Sequence, residues 1–416
     1  MSNDAGTTRN LSVDGARLWA SLMEMARIGA TAKGGVCRLT LTDLDRESRD
    51  LFVRWCEEAG CSVRVDPMGN IFARRAGRNA SLPPVATGSH LDSQPTGGRF
   101  DGVYGVLAGL EVIRTLNDHD VETDAPVELV VWTNEEGARF APAMVGSGVY
   151  AGVFDLDYGH SRQDLDGKRL GEELERIGYN GDAAMGEPFG AFFETHIEQG
   201  PILEAAGHSV GVVTGAQGTR WYDVVLTGAE CHAGPTPMER RRDALAAAGA
   251  LLARIYALAH DNPPHGRATV GEFRSYPGSR NTVPGRVELT VDLRHPDARV
   301  LETMHAGLGR ACEEVAAASG VQVSLDLIWD SPPVAFDADC VAAVRRGAEL
   351  LGYSHMDVIS GAGHDSVYIS RITPTAMVFI PCEDGISHNE SENATPEHVT
   401  AGANVLLHAM LDKAGV

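Results

Sequence analysis

Lysine and arginine are scarce in this chain of 416 residues: 35 of them face 57 aspartates and glutamates, so the formal net charge is −22. No block of basic residues interrupts this acidic background, which argues against nucleic acid or an anionic membrane as a partner. The seven cysteines are scattered and odd in number, without a CxxC pair, so reduced thiols are expected. The first ten residues lack an apolar signal core, and no uninterrupted apolar run reaches spanning length. We therefore expect a cytoplasmic protein.

Hydrophobic residues make up 43% of the chain, enough for two domains or for one large domain with an insertion. Strand and helix patterns typical of an α/β domain precede residue 215 and resume after residue 331. Between them, the predicted elements follow the order βαββαβ, a compact two-layer α+β unit that includes a long helix at 238–259. We therefore assign 1–214 and 332–416 to one α/β domain and 215–331 to an inserted domain.

The segment TGSHLDSQPTGGRFDGVYGVLAGLE, residues 87–111, joins a predicted buried strand to a predicted helix. His90 falls at the strand end, and Asp101 falls just before apolar residues that recur at helical spacing. In an open α/β sheet, ligands bind at this edge. Taken alone, these two residues leave two interpretations about equally open: a metal site, or a helix N-cap beside a hydrogen-bonded core histidine.

Three further segments place polar side chains at strand ends or in turns. The buried strand VELVVW runs into NEEG, which contains Glu135 and Glu136. Two adjacent carboxylates there are costly unless cations pair them. Two solvated glutamates in a turn are the common alternative, but this strand end should lie beside that of the His90 strand, which favours function. His196 lies among core-like residues in AFFETHIEQGP, and His388 lies in PCEDGISHNESE.

Six residues thus form one candidate constellation: His90, Asp101, Glu135, Glu136, His196 and His388. Three imidazoles and three carboxylates are too many for one mononuclear zinc site, but they fit two metal ions that share a bridging carboxylate, with one free base. No HExxH motif occurs, so the site would be assembled from distant segments. Spacing by itself therefore does not establish the site.

Eight motifs, in this order along the chain, carry a family resemblance: HLDS, GGRFDGVYG, NEEGARF, ETHIEQGP, HAGPTPM, DLRHPD, GAGHDS and SHNE. They resemble the hydantoinase/carbamoylase amidases of the dinuclear M20 metallopeptidase superfamily, and the resemblance covers essentially the whole chain. That family contains N-carbamoyl-L-amino-acid hydrolases, β-ureidopropionases and allantoate amidohydrolases. The resemblance implies an α/β fold, in which a mixed-sheet dinuclear-metal hydrolase domain carries an inserted α+β dimerisation or lid domain.

The same resemblance implies a ligand set. Asp101 would bridge two metal ions, with His90 and His388 as terminal ligands, one on each ion. Glu136 and His196 would complete the set. Peptidase branches of the superfamily usually carry a carboxylate where His196 stands, so this position favours the amidase branch. Imidazole and carboxylate ligands without thiolate suit Zn²⁺, which we expect, and also Mn²⁺, Co²⁺ or Ni²⁺.

Other residues acquire roles around those ions. Glu135 would be the general base, and Asp92 would orient His90. His232 would stabilise the charge that develops on the carbonyl oxygen, and Arg294 would grip a substrate carboxylate. The residues that resemble the family's remaining polar substrate contacts are Asn281, Gln199 and Gln217. Without the resemblance, Arg294 and Asn281 would be taken for surface residues of the small domain.

We therefore predict hydrolysis of an N-carbamoyl-L-amino acid to the amino acid, ammonia and carbon dioxide. The alternatives are allantoate amidohydrolase, β-ureidopropionase, and hydrolysis of an N-acyl amino acid or peptide. A catalytically inactive metal-binding homologue is the alternative from another class, and the retained Glu135 argues against it. The resemblance also implies a homodimer through the inserted domain, with His232 reaching the partner's site. Related enzymes often carry asparagine before that histidine, where this chain has Cys231.

Overall fold

The computed structural model describes residues 10–416. The chain forms two compact units: one combines the residues before 215 with those from 336 onward, and the other spans Gly215–Ala335. The sequence places the end of the inserted segment at 331, before the prolines Pro332 and Pro333. The second unit continues past those prolines through a short strand at Val334–Ala335.

Strands make up the scaffold of both units. Those of the described residues are β1 Ser62–Val65, β2 Ile71–Arg75, β3 Val85–His90, β4 Val127–Trp132, β5 Ala191–Ile197, β6 Val210–Ala216, β7 Gly218–Thr227, β8 Cys231–His232, β9 Arg267–Thr269, β10 Phe273–Tyr276, β11 Thr282–Val283, β12 Arg286–His295, β13 Gln322–Ser331, β14 Val334–Ala335, β15 His355–Ser360 and β16 Thr375–Ile380.

Helices connect these strands. Those of the described residues are α1 Gly15–Met25, α2 Asp43–Glu58, α3 Val103–Asp118, α4 Val145–Tyr150, α5 Leu156–Ser161, α6 Leu170–Ile177, α7 Ile202–Ala206, α8 Ala244–His260, α9 Ala298–Ser319, α10 Ala338–Leu351, α11 Asp365–Ile369 and α12 Pro396–Ala414, with short 3₁₀ turns at Met238–Arg240 and Glu383–Gly385. Between residues 10 and 416, none of the helices has the length and apolar character needed to span a membrane.

The principal sheet has the strand order β1-β2-β4-β3-β5-β16-β6-β14, and β15 also pairs with β6. The four central strands β4, β3, β5 and β16 are parallel, and the outer pairs are antiparallel. Every residue of these four strands is buried, as is typical of parallel strands covered on both faces. The expectation that the strand before Glu135 lies beside the His90 strand is confirmed, because His90 pairs with Trp132.

Helix α3 and an aromatic cluster cover the strands of the principal sheet. Helix α3 packs on β3, β4 and β5 and also against α12. Because it is enclosed in this way, α3 is apolar around most of its circumference and buried along most of its length. An aromatic cluster joins β2, β4 and β5 to α4, and its large members are Phe72, Trp132, Tyr150, Phe189 and Phe192. This packing fixes the strand ends, from which the candidate site is built.

The second unit is an antiparallel sheet with the order β10-β12-β7-β13, and β9 also pairs with β12. Burial alternates along β12, where Val287, Leu289, Val291 and Leu293 are buried and the residues between them are half-buried. Helices α8 and α9 contribute to the same core. The order of the main elements is βαββαβ, with the second strand divided into β9 and β10.

The start of α8 differs from the prediction. The sequence pattern begins the helix at 238, whereas the helix begins at Ala244. Residues Met238–Arg240 form a separate 3₁₀ turn after Pro237. The side chain of Asp243 accepts hydrogen bonds from the amides of Leu245 and Ala246, and this N-cap sets the first turn.

Candidate metal centre

The candidate ligands collect where the parallel strands end. His90 is the last residue of β3, and His196 lies at the end of β5. Glu135 and Glu136 follow β4, and His388 follows β16 and the 3₁₀ turn after it. Because parallel strands bring their carboxyl ends to one edge of a sheet, residues nearly 300 positions apart in sequence become neighbours there.

Asp101 lies at the centre of the arrangement and presents a different oxygen to each side. Its Oδ1 is 3.1 Å from Nε2 of His196 and 3.7 Å from Nε2 of His90. Its Oδ2 is 3.4 Å from Nε2 of His388, which is also 3.4 Å from Oε2 of Glu136. Ligand atoms in each of the two groups, His90–Asp101–His196 and Asp101–Glu136–His388, lie within 4.8 Å of one another. Asp101 is the member that the groups share.

Hydrogen bonds orient two of the imidazoles. Nδ1 of His90 lies 2.9 Å from the backbone carbonyl of Asp92, and Nδ1 of His196 lies 2.9 Å from the carbonyl of Ile197. A carbonyl can only accept, so each Nδ1 carries a proton and Nε2 is the nitrogen that faces Asp101. Each Nε2 is therefore the atom that could bind a metal ion, once it carries no proton.

Asp92 acts differently from the expectation. Its carboxylate Oδ1 is 3.9 Å from Nδ1 of His90, too long for a hydrogen bond, so its backbone rather than its side chain holds that ring. The carboxylate instead accepts hydrogen bonds from the Thr40 hydroxyl at 2.6 Å and from the amides of Glu135 and Glu136, both at 3.3 Å. The side chain of Asp92 thus positions the two glutamates.

The two glutamates have different partners. Oε2 of Glu135 is 3.4 Å from Nε2 of His90. Glu136 is held by Gln94, whose side-chain amide donates to Oε2 at 2.7 Å and whose backbone amide donates to Oε1 at 3.1 Å. Burial and then the charge of Asp365 raise the pKa of Glu135 well above its ordinary value. Burial and then the charge of Asp101 do the same to the pKa of Glu136.

In contrast to the two glutamates, Asp101 and His196 have pKa values that are shifted toward their charged forms. Burial opposes the ionisation of Asp101, but its hydrogen bond with His196 outweighs burial and lowers the pKa of Asp101. Burial likewise opposes the charging of His196, but the bond to Asp101 raises its pKa to about 9. Several buried carboxylates close together are unfavourable unless positive charges balance them. Imidazole nitrogens and carboxylate oxygens in this arrangement fit divalent ions.

Glu392, Ser387 and Gln94 are site neighbours that the sequence did not reveal. Oε1 of Glu392 accepts hydrogen bonds from the amides of Phe100 and Asp101 at 3.0 and 3.1 Å. Burial and then the charge of Asp101 raise the pKa of Glu392 to about 7. The one feature of the sequence that could have pointed to Glu392 is its position four residues after His388, in SHNESE. Nothing local separates it from Glu390, which forms an ion pair with the exposed Lys33.

A further buried group lies beside the candidate ligands. Ligand atoms of Glu194, His196 and His364 lie within 4.8 Å of one another. Glu194 accepts hydrogen bonds from the hydroxyls of Ser89 and Ser366, each at 2.7 Å. Burial and then the charge of His196 lower the pKa of His364. These contacts tie β3, β5 and α11 together beneath the site.

Gln199 is the one predicted substrate contact in this unit, and its side-chain amide donates to Oδ2 of Asp101 and to Ser387, both at 3.1 Å. Its φ of +58° is unusual for a residue with a side chain. His388 shares this feature with a φ of +53°. Two strained residues at one end of the sheet are typical of a functional site.

The remaining candidates belong to the second unit. His232 pairs with Thr282, the neighbour of Asn281, across β8 and β11. The amide of Gly234 donates to Nδ1 of His232 at 3.1 Å, so the proton of a neutral ring lies on Nε2 of this exposed side chain.

Arg294 and Gln217 lie at the other end of that unit, near the start of β7. Arg294 pairs with Thr219 across β12 and β7, and Gln217 is half-buried just before β7. The Arg294 guanidinium is held by the Asp292 carboxylate at 2.8 to 3.1 Å. It is therefore oriented along the strand before any ligand binds.

Comparison with known proteins agrees with this geometry. The model of Peptidase family M20/M25/M40 matches residues 86–412. The chain is 49% identical to the N-carbamoyl-L-amino-acid amidohydrolase of Rhizobium meliloti over 99% of both chains, and 33% identical to the allantoate amidohydrolase of Bacillus subtilis over 92% of this chain and 93% of that one. A solved hydantoinase/carbamoylase family amidase from Burkholderia multivorans is 63% identical, with a TM-score of 0.94 over 97% of this chain and 98% of that one. The chain therefore belongs to peptidase family M20/M25/M40 and, within it, to the hydantoinase/carbamoylase amidases.

Proposed function

We propose that this chain is a dinuclear metal-dependent amidohydrolase that cleaves the ureido C–N bond of an N-carbamoyl-L-amino acid. The products are the free amino acid, ammonia and carbon dioxide. The observation that carries the proposal is the pair of ligand groups that share Asp101, one through Oδ1 and one through Oδ2. We propose two divalent ions per subunit, with Zn²⁺ as the first choice and Mn²⁺, Co²⁺ or Ni²⁺ as alternatives.

Glu135 is the proposed general base. Divalent ions held by His90, Asp101, Glu136, His196 and His388 would supply Lewis acidity that polarises the scissile carbonyl and acidifies the attacking water. Glu135 would take the proton of that water and return it to the leaving nitrogen. Its position suits this task, because Oε2 of Glu135 lies 3.4 Å from Nε2 of His90, among the proposed ligands.

His232 and Arg294 are the proposed substrate contacts of the second unit. The Nε2–H of His232 is a hydrogen-bond donor that can stabilise the charge developing on the carbonyl oxygen. The planar guanidinium of Arg294 can bind a carboxylate through two parallel hydrogen bonds. Asn281, Gln199 and Gln217 are the further proposed contacts. The substrate would therefore be a small ureido or amide compound that carries a carboxylate.

The homodimer is part of the same proposal. The strand β13 is an edge of the second unit's sheet and exposes Leu327 and Ile328. Exposed apolar side chains on a long edge strand favour association with another chain. We propose that two copies associate through this unit and that His232 serves the partner's site.

The seven free cysteines support a reducing compartment such as the cytoplasm.

Ammonia release tests the substrate. Purified enzyme loaded with Zn²⁺ or Mn²⁺ would be assayed with a series of N-carbamoyl-L-amino acids, their D-enantiomers, allantoate, N-carbamoyl-β-alanine and N-acetyl amino acids. The proposal expects the highest kcat/KM for an N-carbamoyl-L-amino acid. A higher value for allantoate would favour the second candidate, which the similarity to the Bacillus subtilis allantoate amidohydrolase supports.

Elemental analysis tests the ions independently. Protein stripped with chelator and reloaded should contain close to two equivalents of metal per subunit. A stoichiometry that stays at one under excess metal would contradict the dinuclear proposal, whatever the substrate profile. These two measurements therefore separate the chemistry of the site from the identity of the substrate.

A further inference from the structure

Glu392 is buried beside the candidate centre, with 1% of its surface exposed, yet no predicted catalytic step uses it. All three of its hydrogen-bond partners there are donors. Oε1 accepts from the amides of Phe100 and Asp101, and Oε2 accepts from the hydroxyl of Ser387 at 2.9 Å. Gly98 lies so close that a Cβ there would come within 2.0 Å of the Glu392 carboxylate. The carboxylate therefore sits in a close-fitting cradle of backbone.

This cradle joins two segments that are far apart in sequence. One is 98–101, which ends at Asp101, and the other is 387–392, which carries His388. Ser387 also lies 3.3 Å from Oδ2 of Asp101, the oxygen that faces His388. The Glu392 carboxylate thus fixes the distance between the shared ligand and the ligand on its Oδ2 side.

The two ligand groups differ in how firmly their histidines are held. His90 and His196 are buried at the ends of strands, and each is oriented by a carbonyl through Nδ1. The side chain of His388 is 52% exposed, and its backbone lies in the left-handed region, outside any strand. The orientation of His388 therefore depends on the segment that Glu392 anchors.

We infer that Glu392 is a positioning residue that sets the geometry of the Asp101–Glu136–His388 group, and with it the affinity for the ion on that side. This inference rests on the proposed two-ion site. The ion at His90 and His196 depends less on Glu392, because strand ends hold its histidines. Loss of a group that orients ligands typically costs 10–100-fold in metal affinity.

Three variants test the inference. Glu392→Gln keeps an oxygen for the Phe100 and Asp101 amides but presents a donor to Ser387, so it changes the link between the segments. Glu392→Ala removes the carboxylate and all three of its hydrogen bonds, while the bond from Arg99 to Asn393, the residue after the second segment, remains. Glu390→Gln is the matched control, since it makes the same change in the same segment at an ion pair with an exposed lysine.

Chelator-competition titration with Zn²⁺ would give both dissociation constants for each variant. One of the two ions should bind about 10-fold more weakly in Glu392→Gln and up to about 100-fold more weakly in Glu392→Ala, with the other ion within about 3-fold of wild type. Glu390→Gln should match wild type. His388→Ala should lose the same ion, so His388→Ala/Glu392→Gln should bind the remaining ion as His388→Ala does.

Several results would overturn the inference. Both ions could stay within about 3-fold of wild type in the Gln variant, or both ions could weaken equally together with the thermal stability of the metal-free protein. The latter would make Glu392 a general structural residue. If Glu392→Ala does not fold, Glu392→Gln decides. A wild-type protein that binds a single ion would instead refute the two-ion proposal itself, before any variant is compared.

Discussion

Substitution of Gly102 tests the candidate metal centre without changing any of the proposed ligands. It follows Asp101 directly, and its φ of +68° and ψ of −53° belong to a tight turn in which the amide of Val103 bonds the carbonyl of Asp101 at 2.7 Å. A Cβ built on Gly102 would lie 2.3 to 2.4 Å from three ring atoms of His90. The substitution Gly102→Ala therefore acts on the imidazole without removing any donor atom.

The size of the effect follows from these distances. Carbon atoms in contact lie about 3.5 Å apart, so the ring of His90 must move by about 1 Å. Metal–ligand distances tolerate about 0.2 Å, so a ring displaced that far no longer coordinates the ion. We expect at least a 100-fold loss of metal affinity, the upper end of what a lost orienting contact costs. The positive φ adds about 1–3 kcal/mol of strain, which lowers the stability of the metal-free protein.

Chelator competition and thermal unfolding of the metal-free form would measure the two effects separately. Gly207→Ala is the control, because Gly207 has a φ of +70° and no atom within 4 Å of its built Cβ. It should cost about 1 kcal/mol of stability and leave metal affinity unchanged. If Gly102→Ala bound both ions with wild-type affinity, the imidazole of His90 would not be held where the structure has it, and the reasoning would fail.

Three further outcomes are expected. Glu135→Gln should keep both ions and lower kcat by about 10²–10⁴-fold, because glutamine cannot accept the proton; metal loss instead would exchange the roles of Glu135 and Glu136. Arg294→Lys should raise KM strongly, since an ammonium cannot make a planar two-point contact, and an unchanged KM would place Arg294 outside the substrate site. Mixing inactive His232→Ala with inactive Glu135→Gln and allowing subunit exchange should restore about a quarter of wild-type activity, because about half the dimers are mixed and each holds one intact site. Verified mixed dimers without activity would assign His232 to its own subunit.

Much of the candidate site follows from patterns that are local in sequence. VELVVW is a nearly continuous apolar run, and VATGSH consists mostly of small residues after two prolines, so the sequence shows where both buried strands end. Parallel pairing then brings those ends together, and the neighbourhood of His90 and Glu135 is confirmed on that basis. The order of elements in the second unit is equally local, since each strand and helix has its own period.

Other features depend on contacts that no local pattern encodes. Asp92 holds His90 through its carbonyl and the glutamates through its carboxylate, and the turn after β3 decides which group faces which partner. Glu392 is joined to Asp101 across 291 positions, and the fold alone distinguishes it from Glu390. The late start of α8 reflects an N-cap at Asp243, which overrides a helical pattern that begins earlier.

The position of β16 has a consequence for biosynthesis. In the principal sheet, β16 lies between β5 and β6, yet it is made after the whole second unit. Until residue 380 leaves the ribosome, β5 and β6 each present an unpaired edge, and the emerged part of the chain also lacks His388. Open edges of this kind are prone to pair with other chains. The candidate metal centre and the middle of the sheet are therefore completed by the same late segment, so an incomplete chain exposes unpaired strand edges and lacks one of the proposed ligands.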